Sequence, residues 1–427
     1  MHTEINSETF LNTLRPGMSV FVHGGSATPR ALLKTLVAAA RVNPKRFQDI
    51  ELIHLHTEGT TAYAEVPLNS VFRVSNLFVG GAMRAHLDYN RVDYLPCFLS
   101  EIPALFLSGR KKLDAAFLSV SPPDKNGYCS LGTSVDVARA AFEAAPLIIA
   151  QINQQMPRVH GDGFIHIDEI DYAIEVDEPL PEPHCKQPSA IELAIGQNVA
   201  TLIDDGACLQ VGIGSIPNAV LQALKSRRHL GVHSEMWSDG ILDLIKAGAV
   251  DNSKKSVHAG KSVSGFIIGS KRVYDFIHDN PAVIQLGIDY VNNPTTIARN
   301  KNVAAINSAV EVDLTGQVCA DSVGSKIISG VGGQMDFMRG AALSKGGKPI
   351  IAITSETKHG FSRIVPTLKA GAGVVTTRAH VHYIVTEHGI ADLYGKSLRE
   401  RARALIAVAE PRFRDELSAA ARRRKLL

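Results

Sequence analysis

Short, uninterrupted apolar runs alternate along this chain with longer stretches in which apolar side chains recur at helical spacing. In the first half, residues 50–55, 115–120 and 147–152 are such runs, and residues 30–40 have the helical pattern. Continuous apolar strands separated by helices are typical of a mostly parallel sheet that is buried on both faces. The pattern therefore predicts an α/β fold.

The most informative stretch lies in the second half, at residues 206–240. A strand predicted at residues 208–211 runs into the glycine loop 212–214, and Pro217 is expected at the first position of the next helix. A second strand, residues 230–232, ends in His233, Ser234 and Glu235. Because ligands of parallel sheets bind beyond the carboxyl ends of the strands, backbone N–H groups and a carboxylate are expected side by side here. Further strands are predicted at residues 301–305, 348–354, 374–377 and 383–386, and a helical tail at 398–417 and beyond.

The first half contains a similar sequence of elements. Residues 17–59 have the same order of glycine, strand, glycine loop, proline, helix and strand, and they end in His-Thr-Glu. We interpret this as a weak internal duplication. Residues 177–184 hold three prolines and three acidic residues, which is the composition of a linker. We therefore predict two similar open-sheet α/β domains, residues 1–180 and 188–427.

Composition narrows the class of protein. The chain has 427 residues, of which 45% are hydrophobic, and a formal net charge of +3 from 45 basic and 42 acidic residues. This balance indicates no preference for nucleic acid or for an anionic membrane. The five cysteines are scattered without Cys-x-x-Cys spacing, and neither a signal sequence nor an apolar run of membrane-spanning length is present. We expect a soluble, cytoplasmic protein.

Several common kinds of site fit poorly. The loop 212–214 lacks the third glycine of a dinucleotide fingerprint, and residues 389–397 are one residue too long for a phosphate-binding Walker loop. No Gly-x-Ser-x-Gly elbow is present. The pairs His54/His56 and His380/His382 have no sequence-adjacent acid or cysteine cluster to complete a metal site, so we expect no metal.

Three glutamates remain as candidate nucleophiles, because each follows a predicted strand: Glu58, Glu235 and Glu387. A carboxylate can attack an activated acyl group when binding energy from a large substrate positions it. A helix cap or an ion pair would equally account for any of the three. Spacing alone does not choose among them.

Specific motifs extend over nearly the whole chain, at residues 121–132, 156–158, 211–217, 233–240, 306–316, 329–337, 362–367 and 374–383. With these motifs the chain resembles the acetyl-CoA hydrolase/transferase family, and most closely its 4-hydroxybutyrate or butyrate:acetate CoA-transferase branch. The resemblance implies two open-sheet α/β domains of the CoA-transferase type. It also implies a ping-pong exchange of coenzyme A between acyl-CoA and small carboxylic acids, with a glutamyl-CoA thioester as intermediate. An acyl-CoA hydrolase that uses the same glutamate is the alternative.

The resemblance also implies roles for individual residues. Glu235 matches the family's catalytic glutamate, while Asn307 and the backbone of Gly332 and Gly333 match its oxyanion donors. The CoA-binding set is similar at Gly212, Ile213, Gly214, Ser215, Ile216, Ile306, Gly330 and Lys358. Residues 357–362 are one residue short of the family pattern, which bears on Lys358. Glu58 and Glu387 are expected only to position substrate, and His23 replaces a smaller residue near the acyl pocket.

The family further implies which molecules this chain meets. Coenzyme A thioesters are expected as substrates, with no permanently bound cofactor. Homodimers or higher homo-oligomers are also expected.

Overall fold

A computed structural model describes residues 4–5, 8–183 and 187–427 of the chain. The described residues form two compact units. The first comprises the described chain up to Pro183 together with Val263–Tyr290, and the second comprises residues 187–262 together with Val291–Leu427. These units are defined by packing, and the domain limits 1–180 and 188–427 stay a prediction.

The first unit is built on an eight-stranded sheet whose strand pairs are all parallel. Strands in the chain up to Pro183 are β1 Glu4–Ile5, β2 Ser19–Val22, β3 Glu51–His54, β4 Arg73–Asn76, β5 Val92–Tyr94, β6 Ala115–Val120, β7 Tyr128–Ser130, β8 Ile148–Asn153, β9 His160–Gly161, β10 Phe164–His166 and β11 Tyr172–Val176. The helices are α1 Arg30–Val42, α2 Ile102–Leu107 and α3 Ala138–Ala144. The sheet order is β1-β11-β8-β6-β2-β3-β4-β5. Every residue of the central strand β6 is buried, as expected for a parallel strand covered on both faces.

The rest of the chain continues the alternation of strands and helices. Its strands are β12 Cys208–Val211, β13 Gly231–Val232, β14 Met236–Trp237, β15 Ser262–Ser264, β16 Phe266–Ile267, β17 Val283–Gln285, β18 Val303–Asn307, β19 Glu311–Asp313, β20 Val318–Cys319, β21 Ser322–Val323, β22 Lys326–Ile327, β23 Lys348–Ala352, β24 Ile364–Val365, β25 Tyr383–Thr386 and β26 Gly389–Asp392. Its helices are α4 Ala190–Thr201, α5 Ser215–Ala223, α6 Asp239–Lys246, α7 Lys271–Ile277, α8 Ile288–Val291, α9 Pro294–Ala298, α10 Gln334–Leu343, α11 Leu398–Ala407 and α12 Arg414–Arg423. Of these, α7, β16 and β17 belong to the first unit.

The second unit is organised around a six-stranded sheet in the order β13-β12-β18-β23-β25-β26. Its pairs are parallel except the last, β25 with β26. A core of fully buried aliphatic side chains, including Ile351, Ile384 and Leu405, joins this sheet to α11. The loops that carry the candidate site residues follow the carboxyl ends of β12, β13 and β18 in this sheet.

The α/β fold class predicted from the sequence is confirmed, and the two halves share a local arrangement. In the first unit β2 pairs in parallel with β3, and in the second β12 pairs in parallel with β13. In both cases a glycine loop and one helix connect the paired strands. The repeated order of elements read from the sequence thus corresponds to a repeated strand–helix–strand unit.

The helical tail is confirmed, and it consists of two helices, α11 and α12. Pro411 cannot donate a helical hydrogen bond and starts a separate 3-10 turn between them. Two other element predictions were wrong in detail. Residues 374–377 form no strand, and only Thr376 among them bridges to Val318. Helix α5 begins at Ser215, so Pro217 is its third residue. None of the described helices has the length and apolar character that a membrane crossing requires.

Candidate active site

The glycine loop lies where β12 ends. Gly214 has φ 121°, a conformation that favours glycine, and it precedes the first residue of α5. Ile213 is half-exposed, and a Cβ on Gly212 would meet no atom within 4 Å. The loop therefore offers open backbone at the N-terminus of a helix, which is an arrangement suited to anions.

A predicted CoA-binding residue, Ile306, and a predicted oxyanion donor, Asn307, are brought next to this loop. Val211 pairs with Ile306 in the sheet, so Ile306 and Asn307 end β18 directly beside the glycine loop. Asn307 donates from Nδ2 to Oε1 of the buried Gln210 at 2.9 Å. Its amide is thus directed along the sheet edge toward β12.

Glu235 follows the neighbouring strand β13. The two residues before it, His233 and Ser234, hold it in place through hydrogen bonds to the surrounding backbone. Ser234 is buried, and its hydroxyl accepts from the N–H of Val211 at 3.3 Å and donates to the carbonyl of Met236 at 2.6 Å. His233 is also buried and lies 2.8 Å, through Nε2, from the carbonyl of Val291. Burial lowers the pKa of His233 to about 3, so the imidazole is neutral and Nε2–H is the donor in this bond.

The carboxylate of Glu235 meets an amide and a glycine. Asn292, which is fully buried, donates from Nδ2 to Oε2 of Glu235 at 2.9 Å, and the same nitrogen is 3.5 Å from Oδ2 of Asp336. A Cβ placed on Gly333 would overlap both Oε2 of Glu235 and Nδ2 of Asn292. Only glycine therefore permits this contact between carboxylate and backbone.

Gly333 also places the carboxylate at the start of a helix. It is the residue before α10, and Gly332, with φ 57°, forms the turn into it. The N-terminus of a helix carries a partial positive charge from its unpaired N–H groups. The predicted residues Glu235, Gly332 and Gly333 are thus brought together, and Gly330 is buried in the same loop.

A separate group of predicted residues lines a cavity of about 1090 Å³ in the second unit. Lys358 and Glu387 are both in its wall, together with Glu192. Glu192 accepts a hydrogen bond from the hydroxyl of Ser215, so the cavity borders the start of α5. Within the described part of the chain Lys358 forms no ion pair, whereas Arg412 in the same wall pairs with Glu356 at 2.5 Å.

Glu387 takes part in a polar cluster in this wall. Its carboxylate accepts from the N–H and the hydroxyl of Ser355, at 2.9 and 2.7 Å. His388 is 3.0 Å from Glu410, and one ligand atom each from Glu387, His388 and Glu410 lie within 4.8 Å of one another. Hydrogen bonds account for this geometry, and the expectation of no metal stays a prediction.

His23 and Glu58 belong to the first unit. His23 is completely buried at the end of β2, where Nδ1 accepts from the N–H of Ser119 at 3.2 Å and Nε2 donates to the carbonyl of Ser134 at 2.6 Å. Burial lowers the pKa of this imidazole. Glu58 is exposed, and its N–H donates to the hydroxyl of Thr28 at 3.0 Å. Both ring nitrogens of His23 are therefore used within the core.

Comparison with known proteins decides the family. The sequence profile of the acetyl-CoA hydrolase/transferase N-terminal domain matches residues 3–182, and that of the acetyl-CoA hydrolase/transferase C-terminal domain matches residues 269–421. The chain belongs to the acetyl-CoA hydrolase/transferase family. The resemblance stated from the motifs is confirmed.

Relatives of this family member include several CoA-transferases. It is 51% identical over 383 residues to the 4-hydroxybutyrate coenzyme A transferase of Clostridium kluyveri, covering 90% of this chain and 89% of that protein. It is 48% identical over 419 residues to a succinyl-CoA:acetate/propanoyl-CoA:succinate CoA transferase of Fasciola hepatica, covering 97% and 87%. The crystal structure of a 4-hydroxybutyrate CoA-transferase from Porphyromonas gingivalis superposes with a TM-score of 0.84 at 39% identity, covering 99% and 98%. The predicted enzyme class, CoA-transferase, is confirmed.

An acetyl-CoA hydrolase of Yarrowia lipolytica is a more distant relative, 28% identical over 400 residues and covering 82% of this chain and 75% of that protein. The family thus includes hydrolases as well as transferases.

Sequence reasoning missed Asn292 and Asp336, which the structure places beside Glu235. Asn292 lies between α8 and α9, in no recognisable motif, and it reaches the site only because the chain returns there from the first unit. Asp336 stands in the motif at residues 329–337, three residues after Gly333. Its position in the first turn of α10, after a glycine loop, was the available signal.

Proposed function

We propose that this family member transfers coenzyme A from an acyl-CoA to a short-chain carboxylate through a glutamyl-CoA thioester on Glu235. One observation carries the proposal: Oε2 of Glu235 accepts from Asn292 and contacts Gly333 at the N-terminus of α10. A carboxylate held in one orientation beside fixed donors is suited to nucleophilic attack, because little reorganisation precedes the reaction.

The proposed reaction has four covalent steps. A carboxylate oxygen of Glu235 attacks the thioester carbonyl, and the C–S bond breaks to give a mixed anhydride and CoA thiolate. The thiolate then attacks the glutamyl carbonyl, releasing the first carboxylate and forming the glutamyl-CoA thioester. A second carboxylate attacks this thioester to give a new anhydride and thiolate. Attack of the thiolate on the new acyl carbonyl releases the second acyl-CoA and restores Glu235.

Each attack on the glutamyl carbonyl places negative charge on a carboxyl oxygen of Glu235. Nδ2 of Asn292 is already 2.9 Å from such an oxygen, and the turn of Gly332 and Gly333 presents backbone to it. Donors that are fixed before charge develops stabilise the transition state more than mobile water does. Asn292 and the glycine turn are therefore the proposed oxyanion donors for this step, and Asn307 stays a predicted donor beside the neighbouring loop.

Coenzyme A is proposed to bind as a substrate, with no resident cofactor. The loop from Gly212 to Ile216 would accept its anionic groups, and the nearby cavity has Lys358 free of ion pairs in the described chain. Lys358 would contact a phosphate as a point charge. Glu387, which is bonded to Ser355, would shape that wall rather than react. Substrate-positioning roles for His23 and Glu58, homo-oligomers and a cytoplasmic location stay predictions.

Hydrolysis of acyl-CoA is the second candidate, because the family includes acetyl-CoA hydrolases. Water would then resolve the same glutamyl intermediate. The two reactions differ in products: transfer gives a new acyl-CoA without net loss of thioester, while hydrolysis releases free CoA thiol.

The test supplies acetyl-CoA and butyrate together and follows butyryl-CoA and free thiol. We expect butyryl-CoA to form with little free thiol, and Glu235→Gln to abolish its formation. Glu416→Gln, an exposed glutamate of the same unit, should retain wild-type rates. Borohydride reduction of the acyl-CoA-treated enzyme, followed by mass mapping, should locate the adduct on Glu235. Free thiol without butyryl-CoA would favour the hydrolase, and an adduct on another residue would overturn the assignment.

A further inference from the structure

The strand that leads into Glu235 lies at an edge of its sheet. β13 pairs with β12 on one side, and no further strand of the described chain follows it on the other. Backbone groups on an open edge need partners from elsewhere, since an unpaired buried N–H or carbonyl costs free energy. How this edge is completed therefore bears on where Glu235 is held.

The segment that follows α6 completes the edge, first with its backbone and then with side chains. The N–H of Leu230 donates to the carbonyl of Ala249 at 2.9 Å. Two residues further along the chain, the N–H of Val232 donates to Oδ1 of Asn252 at 2.8 Å. The carbonyl of Val232 accepts from Nζ of Lys255 at 2.7 Å. Val232 is thus held on its outer side entirely by two side chains.

Lysine is an unusual residue to complete the edge of a strand at this position, because Lys255 is almost completely buried. Its exposed fraction is 6%, and its second acceptor is the carbonyl of Lys261 at 2.6 Å. No carboxylate forms an ion pair with it in the described part of the chain. Burial lowers the pKa of Lys255 to about 8, which reflects the cost of placing an ammonium group away from water. A leucine or methionine would cover the same surface without that cost.

The backbone of β13 is shaped to admit this side chain. A Cβ on Gly231 would overlap Cγ and Cδ of Lys255, at 2.5 and 2.9 Å, so the absence of a side chain there lets the lysine stem lie against the strand. The ammonium then reaches the last carbonyl of β13, three residues before Glu235. Ser234 anchors the opposite side of the same short segment to β12.

We infer that Lys255 is a positioning residue for Glu235, acting through the carbonyl of Val232. The inference rests on the proposed function, in which Glu235 is the nucleophile. Lys255 and Asn252 hold one side of the segment and Ser234 holds the other, so the segment can swing neither way. Without the ammonium, the carbonyl of Val232 loses its partner and the strand end shifts to find water. A displacement of about 1 Å at a nucleophile lowers turnover by about 100-fold.

The test is Lys255→Met in the full-length enzyme, with kcat and KM for acetyl-CoA measured alongside the dissociation constant for free CoA. We expect kcat to fall by about 10- to 100-fold while KM and CoA affinity stay within about twofold, because the binding loop is not touched. Lys255→Arg, which can donate to both carbonyls, should recover most of the lost kcat. Lys254→Met, at the exposed neighbouring lysine, should leave all three values unchanged.

Wild-type kcat in a folded Lys255→Met enzyme would overturn the inference, and so would an arginine variant no better than methionine. If the methionine variant does not fold, Gly231→Ala decides instead. Its methyl group displaces the lysine stem and should lower kcat selectively, and an unchanged kcat there would count against the inference. Glu235→Gln is assayed in parallel. If that variant keeps transferase activity the proposed function fails, whereas its inactivity beside a fully active Lys255→Met enzyme refutes only the positioning role.

Discussion

At the scale of single residues, the absence of a side chain matters as much as any functional group. Glu235 and Asn292 meet over Gly333, at a point where a Cβ would overlap both side chains. The same is true of Gly231, where the stem of Lys255 occupies the space of a side chain. Both glycines lie next to groups that hold or contact Glu235, so the site depends on close approach to backbone.

Gly333→Ala tests this close approach. The added methyl group would overlap the Glu235 carboxylate and the Asn292 amide, so one of them must move and their hydrogen bond must break. We expect kcat to fall by about 100-fold or more with the fold retained. Gly81→Ala is the matched control, because a Cβ there meets no atom within 4 Å. An alanine variant with wild-type kcat would show that the contact is not needed for turnover.

The choice among three glutamates shows where sequence reasoning stops at this scale. Glu58, Glu235 and Glu387 all follow strands, and the spacing that surrounds Glu58 resembles that around Glu235. In the structure Glu58 is exposed, Glu387 is bonded to Ser355, and Glu235 accepts from a buried amide. The difference comes from Asn292, whose contact with Glu235 spans 57 positions of the chain. Spacing within a motif cannot report such a contact.

At the scale of elements, the sequence predicted best where one physical rule dominates. Continuous apolar runs such as β6 and β12 were located closely, because burial on both faces makes all but one position in each of these strands apolar. The failures came where tertiary context decides. Residues 374–377 have the β-branched composition of a strand, yet they lie outside the sheet and make one bridge.

The helix that carries the glycine loop is positioned by another close contact. Gly196 of α4 faces the backbone of α5, and a Cβ there would overlap the carbonyl of Ala219. Since α5 begins at Ser215, the packing of α4 on α5 sets where the loop lies. Glu192, also on α4, accepts a hydrogen bond from the hydroxyl of Ser215.

Gly196→Ala should therefore destabilise the enzyme although alanine favours helix. The gain in helix propensity is about 1 kcal/mol, whereas separating two backbones in a packed core typically costs about 1–3 kcal/mol. We expect a lower urea midpoint and a raised KM for acyl-CoA. Gln197→Ala, on the exposed face of the same helix, should leave both unchanged. A stabilised Gly196→Ala enzyme would show that the helices separate without cost.

At the scale of the whole molecule, each unit holds a buried neutral histidine near its sheet. In the first unit burial lowers the pKa of His54 to about 4, and in the second burial lowers that of His233 to about 3. The ordinary value in an unfolded chain is about 6.5. Between pH 6.5 and these lower values, the unfolded chain binds protons that the folded chain does not. The contribution of these two histidines to the free energy of unfolding is therefore fully present above pH 6.5, and it is lost as the pH falls toward 4 and 3.

Acid sensitivity should accordingly begin well above the range in which carboxyl groups titrate. Each of the two histidines lowers the free energy of unfolding by up to about 1.4 kcal/mol per pH unit below pH 6.5. Urea unfolding at pH 7.5, 6.5 and 5.5 measures this slope, because these pH values lie around the ordinary histidine pKa of about 6.5. His54→Gln should remove the contribution of one proton to this slope, because glutamine does not titrate. This holds whatever the substitution does to the free energy of unfolding at pH 7.5. Gln197→Ala, at an exposed residue that does not titrate, should keep the wild-type slope. Equal slopes in the wild type and His54→Gln would mean that His54 can take up a proton without unfolding the first unit.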